Sequence, residues 1–288
     1  KVRSWELTRI ASVCPHCGRG CSVELHVKDG RLFRVMSPDQ QAVNEGNLCG
    51  RGFFGYDFVN SQERITAPLL RKSGQLTPTT WDEALDYVAR KLLQIIDEKG
   101  PDAVAGLGSA RATNEDNYLF QKFLRAVVGT PNLDSVAAMG YRQAVRAMQE
   151  ATGVPGAIGT VGALGSTDSI LVVGCDLARE MPVASLPVIR AARDRGARLV
   201  VANPIGTKLD RFATLRIRYR PGSEAALLAG MMKSILADGL YDRSFMEGSA
   251  GNEEALRGAL DKLTWEMVES LTGISPSSLR DAARNFMG

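Results

Sequence analysis

Four of the five cysteines, Cys14, Cys17, Cys21 and Cys49, follow the pattern C-x2-C-x3-C-x27-C. Beyond them the chain holds only Cys175, which is too few for a disulfide framework. Structural zinc sites usually join two C-x2-C knuckles, each giving two corners of a tetrahedron. Here the grouping is three plus one, which suits the corners of a [4Fe–4S] cube. Gly18, Gly20, Gly50 and Gly52 flank the thiols and let backbone N–H groups approach sulfur. Spacing favours iron–sulfur and leaves zinc open. His16 lies inside the loop, but four cysteines already complete a cube, so it reads as a neighbour of the site. His26 has no partner histidine and reads as structural. Arg51 follows Cys49 by two. It is either a fixed cation favouring the reduced state of an anionic cluster, or a solvated surface arginine. Cys175 follows the apolar run 170–174 and reads as a small hydrophobe at a strand end.

These thiols need a support. Residues 22–27 and 31–36 alternate apolar and polar around Lys28-Asp29-Gly30, a β-hairpin with an Asp-Gly turn placed directly after Cys21. Residues 12–65 thus read as a small cysteine-tied module, for whose marginal core a metal site is a common remedy, and the domain expected around it spans 1–65. Residues 66–80 read as a turn-rich bridge into a second domain, 66–288. There Thr80-Trp81-Asp82-Glu83 is a capping box opening a helix to Lys99, and Thr113-Asn114-Glu115-Asp116 starts another through Val128. Short apolar strands are expected at 102–109, 169–174 and 198–204, with 215–220 as a further one. A helix with Pro182 near its start is closed by Gly196, Ser223 caps a helix to Asp238, and the tail from 240 reads as helical, Ser275-Pro276 opening its last helix. Strands alternating with helices predict a mostly parallel, Rossmann-like α/β sheet covered on both faces.

Composition sets wider bounds. The apolar fraction is 44% and the charged fraction 23%, with 35 basic and 32 acidic residues giving +3, as in an ordinary globular protein. The cations are spread along the chain with six Tyr and nine Phe, which does not suggest nucleic acid. No stretch approaches the ~18 apolar residues of a membrane span. The opening KVRSWELTRI lacks the apolar core of a signal peptide, and the expectation is cytoplasmic, although the chain opens on Lys1 rather than Met.

The cysteine spacing with NLCGRG closing it, WDEALDYVARKL, and GSARATNEDNYLFQKFLRAVVGTPNLD together resemble the molybdopterin oxidoreductase superfamily. Within it, the chain looks most like the iron–sulfur subunit of NADH-quinone oxidoreductase (respiratory complex I) that descends from such enzymes. The formate dehydrogenase alpha subunit is a near relative. The resemblance runs through essentially the whole chain. It implies a [4Fe–4S] cluster on Cys14, Cys17, Cys21 and Cys49, with Arg51 where active members carry a cation between cluster and pterin. It also implies that the chain works among other subunits of a redox complex, with iron–sulfur or flavin subunits as electron donors, peripheral to the inner face of the membrane.

Departures choose between the relatives. Formate dehydrogenases place a Cys or selenocysteine, then His, where an ungapped alignment gives Gly140 and Tyr141; Ser135 could substitute only by shifting the alignment. Where active relatives read G-S-N and then an acidic residue with H-P-V, this chain has Gly174-Cys175-Asp176, then Glu180-Met181-Pro182-Val183. Where they read D-P-R, it has Asn203-Pro204-Ile205, which removes an aspartate for ribose or guanine and an arginine for an anion. Arg220-Pro221-Gly222-Ser223 is retained, and a turn before a helix accounts for it. Members of the family usually run two to three times longer. The resemblance and its departures therefore predict an electron-transfer subunit, or part of one, on a scaffold without a Mo/W-bis-pterin group. The alternative is a catalytic Mo/W-bis-pterin oxidoreductase such as a formate dehydrogenase.

Overall fold

The computed structural model describes residues 2–38, 43–135, 140–249 and 253–287. By contacts the chain forms two compact units, Lys1–Tyr56 with Gly159–Gly288, and Asp57–Ile158. The sequence-based boundary at 65/66 follows composition, whereas this division follows contacts.

The N-terminal segment is an antiparallel meander of β1 (Thr8–Val13), β2 (Ser22–Lys28) and β3 (Arg31–Met36). Asp29 and Gly30 both have positive φ, 50° and 74°, as a two-residue type I′ hairpin turn requires. Val23, Leu32 and Val35 form the buried face, and Cys14, Leu25, Val27, Leu48 and Tyr56 pack against it. The expected hairpin is present. β1 is an addition: all six of its residues are exposed, so no amphipathic pattern announced it, and its strand character comes from pairing Thr8↔Val27 through Val13↔Ser22. The short helix α1 (Gly50–Phe54) starts immediately after Cys49.

The second unit carries α2 (Asp57–Asn60), an antiparallel hairpin of β4 (Leu69–Lys72) and β5 (Gln75–Pro78), and α3 (Trp81–Lys99). The hairpin corrects the turn-rich bridge expected at 66–80. Its strands are four residues long, too short to show a period, and its turn uses Ser73 and Gly74 at φ 50° and 86°. Thr80 caps α3 by accepting from Glu83 N (3.2 Å). The Glu83 carboxylate does not return to Thr80; it pairs with Lys72 Nζ (2.7 Å) and accepts from Thr79. The strand expected at 102–109 is shortened to β6 (Gly106–Gly108), because Pro101–Ala103 closes into a 3-10 turn. Helix α4 (Asn114–Lys122) continues as a π-helical turn, Phe123–Val128, and leads to β7 (Leu133–Ser135), parallel to β6. Helix α5 (Tyr141–Thr152) follows Gly140.

The C-terminal segment is an α/β layer. It contains β8 (Ser169–Val173), α6 (Leu177–Glu180), α7 (Pro182–Asp194), β9 (Arg198–Ala202), β10 (Leu215–Ile217), α8 (Glu224–Ala237), α9 (Arg243–Ser249), α10 (Glu253–Asp261), α11 (Trp265–Thr272) and α12 (Pro276–Met287). The three strands are parallel in the order β10-β9-β8. Along β9, Leu199 and Val201 face Ile170, Val188, Ala191 and Leu209, while Val200 and Ala202 face Ile217, Leu227, Met231, Val268 and Leu279. Burial on both sides explains why the strand reads as an unbroken apolar run. Each fully buried Leu or Val contributes about 1.5–3 kcal/mol, so this sandwich is the stable part of the unit. Ser223 does precede α8, but its side chain makes no cap bond; Ser223 Oγ donates to Arg220 O (2.6 Å).

Candidate metal centre

The meander brings the first three cysteines onto one loop. Cys14 N donates to Cys21 O (2.8 Å), continuing the β1–β2 ladder one rung past Val13↔Ser22, and Gly20, at φ 62°, turns the loop. Cys49 sits at the start of α1, where Phe53 N donates to Cys49 O (3.0 Å). The four thiols lie within electrostatic reach of one another. Burial pushes the Cys14 thiol up; the backbone N–H of His16 opposes this, Cys17 and Cys49 add to it, and Arg51 opposes it. Burial also raises Cys21, against Arg19 and with Cys14, Cys17 and Cys49 adding. Among the described residues, no three His, Cys, Asp or Glu side chains converge as ligands of a single metal ion do.

The donor set fits an iron–sulfur cube. A Cβ added at Gly18, Gly20 or Gly50, the glycines flanking these thiols, would meet nothing within 4 Å, so space remains there. His16 packs on the end of α1: a Cβ at Gly55 would sit 3.0 Å from its Nε2. His26 is buried in the sheet, accepting at Nδ1 from Arg34 Nε (3.0 Å), with Glu24 3.5 Å from its Nε2.

Arg51 is not a freely solvated side chain. Its Nη2 donates to Arg179 O and Glu180 O, both at 3.0 Å, at the C-terminal end of α6. These carbonyls are the exposed negative end of a helical turn, which suits a guanidinium. The bonds tie the helix after Cys49 to the segment after β8.

That segment lies at the carboxyl edge of the parallel sheet, where open α/β sheets bind ligands. Cys175 stands beside Glu180. Burial first, then the Glu180 carboxylate and its hydrogen bond, then Asp176, push the thiol up to about 11. Glu180 Oε1 also accepts from Asp176 N (2.8 Å). Among the described residues, the buried Asp176 Oδ1 at this edge lacks a hydrogen-bond partner, while Tyr219 Oη faces the Glu224 carboxylate. Tyr219 Oη is 3.2 Å from where a Gly174 Cβ would lie; burial, then the neighbouring Glu224, raise its pKa to about 12. Tyr219 escaped the sequence reading because LRIRYR showed only an alternating strand pattern. Asn203 is turned inward, its Oδ1 accepting from Ile205 N (3.0 Å). Arg220 donates to Ser270 O, and Gly222, at φ 84°, makes the turn before α8; both do structural work.

Gly140 and Tyr141 lie in the other unit. Gly140 precedes α5 at φ 98°, a conformation that favours glycine, with nothing within 4 Å of an added Cβ. Tyr141 is the exposed first residue of α5. A pterin-bound metal would find no thiolate at Gly140, whereas the sheet edge of the first unit keeps one unsatisfied buried oxygen, Asp176 Oδ1. The fit to a pterin group is therefore divided.

A cysteine-tied β meander and a parallel α/β layer define the class: the chain belongs to the molybdopterin oxidoreductase family. The Molybdopterin oxidoreductase Fe4S4 domain matches residues 7–61, and Molybdopterin oxidoreductase matches residues 64–274. The chain is 40% identical over 282 residues to NADPH-Fe(3+) oxidoreductase subunit alpha of Geobacter sulfurreducens, covering 98% of this chain and 33% of that one. It is 36% identical over 287 residues to Formate dehydrogenase H of Escherichia coli, covering 97% and 40%. Acetylene Hydratase from Pelobacter acetylenicus shares the fold, with a TM-score of 0.73 at 24% identity over 95% of this chain and 38% of that one. The chain thus spans about a third to two fifths of the length of these relatives. Among the described residues, no helix is long and apolar enough to cross a membrane.

Proposed function

We propose that the chain is the cluster-bearing part of an electron-transfer subunit in a multi-subunit oxidoreductase of the NADH-quinone oxidoreductase (respiratory complex I) type. Cys14, Cys17, Cys21 and Cys49 hold one [4Fe–4S] cluster, which supplies one-electron transfer when bound. The chain's own residues set its surroundings. The Val23, Leu32 and Val35 face packs against Cys14. Arg51 places a fixed positive charge beside the thiols and favours the reduced state. The observation that carries the reading is an intact four-thiol set in a chain with Gly140 where the resemblance expects a metal-binding thiolate.

In this reading no Mo/W-bis-pterin group is needed; Gly140 and Tyr141 in one unit, and Gly174, Cys175, Asp176, Glu180, Asn203, Arg220 and Gly222 in the other, stand at positions where the resemblance places pterin contacts that this chain no longer uses. Partners are neighbouring iron–sulfur or flavin subunits that donate electrons; similarity to an NADPH-Fe(3+) oxidoreductase alpha subunit supports a nicotinamide as their source. The complex is cytoplasmic and peripheral to the inner face of the membrane, with no nucleic acid involved.

A second reading, a catalytic Mo/W-bis-pterin oxidoreductase such as a formate dehydrogenase, is favoured by the unpartnered Asp176 Oδ1 at the sheet edge. Electron paramagnetic resonance on anaerobically prepared protein separates the two. The first reading expects about one spin per chain after reduction by dithionite and none after formate. Reduction by formate would establish the second.

A further inference from the structure

Asn44 lies between β3 and Cys49 and is 1% exposed. Its side-chain amide is fully used. Oδ1 accepts from Ser22 N (2.9 Å), while Nδ2 donates to Ser37 Oγ (3.0 Å) and to Asn47 O (2.7 Å). Its backbone carbonyl accepts from Asn47 N (2.8 Å) and Asn47 Nδ2 (3.2 Å).

The three side-chain partners belong to three different stretches of chain. Ser22 directly follows Cys21. The last rung of the β2–β3 ladder is Glu24↔Met36, so the Ser22 amide lies beyond the end of β3, and Asn44 Oδ1 supplies the acceptor that a strand would have given. Ser37 follows β3, and Asn47 precedes Cys49 by two residues. Arg19 adds a second tie through its bond to Val43 O, next to Asn44. The 27 residues separating Cys21 from Cys49 would otherwise let the fourth thiol wander, whereas a metal site needs its ligands held within about 0.5 Å.

The amide chemistry is specific. One acceptor and two donors meet one N–H, one hydroxyl and one carbonyl. A carboxylate of the same size would keep the bond from Ser22 but set an acceptor oxygen, not a donor, against Asn47 O, and it would add a buried negative charge between Cys21 and Cys49 in the chain.

We propose that Asn44 is a positioning residue that holds Cys49 in register with the loop of Cys14, Cys17 and Cys21, and so governs iron retention and reduction potential. This rests on the cluster reading above. The test compares wild type, Asn44→Ala and Asn44→Asp after anaerobic reconstitution with iron and sulfide. The readouts are iron release to a chelator, the resonance spectrum of the reduced state, its midpoint potential, and amide exchange at Ser22 in the iron-free protein. Iron release is expected to accelerate about 10- to 100-fold in Asn44→Ala. In Asn44→Asp, which keeps size and the Ser22 bond, the midpoint falls and the spectrum changes while Ser22 stays protected. Amides of β8–β10 stay protected in both variants. Unchanged iron release, spectrum and potential in both variants overturn the positioning role alone. If Asn44→Ala does not fold, Asn44→Asp decides by its potential and spectrum. A wild-type chain that takes up no iron while its Ser22 amide is protected overturns the cluster reading and the positioning role with it.

Discussion

The thiol of Cys175 gives the most quantitative handle on the sheet edge. Its pKa is pushed up to about 11 from an ordinary 9.0, by burial first and then by Glu180 and Asp176. At about pH 8 such a thiol is ~0.1% thiolate, against ~10% for the ordinary group, so alkylation should be ~100-fold slower, because the thiolate is the nucleophile. Glu180→Gln removes the second and third causes and leaves burial, the largest, so the rate should rise about 3- to 10-fold and stay well short of the full ~100-fold. Asp176→Asn removes the smallest contribution and should do less. Iodoacetamide labelling followed by peptide mass spectrometry over a pH series reads Cys175 apart from the other cysteines, and its rate should climb about tenfold per pH unit well past 9. The linkage has a definite sign: folding favours the protonated thiol. Its stabilisation is complete below about 9 and is lost as pH rises towards about 11. Alkylation of wild-type Cys175 as fast as free cysteine, or an unchanged rate in Glu180→Gln, would refute the reasoning.

Other consequences can be checked independently. Cys49→Ser should lose or convert the cluster and loosen residues 12–65 while the amides of β8–β10 stay protected from exchange; global unfolding would contradict that separation. Arg51→Ala removes a positive charge beside the thiols and two bonds to carbonyls, so a redox titration should give a more negative midpoint, with Arg51→Lys closer to wild type. Gly230→Ala should cost about 1–3 kcal/mol in urea unfolding through overpacking, since its Cβ would lie 2.9 Å from Val268 Cγ1 and 3.0 Å from Leu279 Cδ1. Gly258→Ala, on α10 with nothing within 4 Å, should be neutral or stabilising by helix propensity.

What the sequence disclosed depended on whether the cause was local. The Asp29-Gly30 hairpin, the Thr80 cap and the apolar strands at 169–174 and 198–204 each carry their determinant within a few residues, and each is present. β1 and the β4–β5 hairpin were missed because a pairing partner, not a periodic pattern, makes them strands. The cysteine set stands out by its spacing, which favours iron–sulfur and leaves zinc open. The role of Arg51 was not legible, because the carbonyls it holds are about 130 positions away in sequence. Asn44 was overlooked for the same reason: an Asn in a turn-rich stretch gives no sign that its amide joins Ser22, Ser37 and Asn47.

The central claim is that this chain carries an iron–sulfur cluster on four cysteines and works without a pterin metal. Elemental and acid-labile sulfide analysis of anaerobically prepared protein tests it directly. The account predicts about four irons and about four sulfides per chain, with neither molybdenum nor tungsten. About one molybdenum or tungsten per chain would contradict the electron-transfer reading, and a colourless zinc protein without sulfide would contradict the cluster itself.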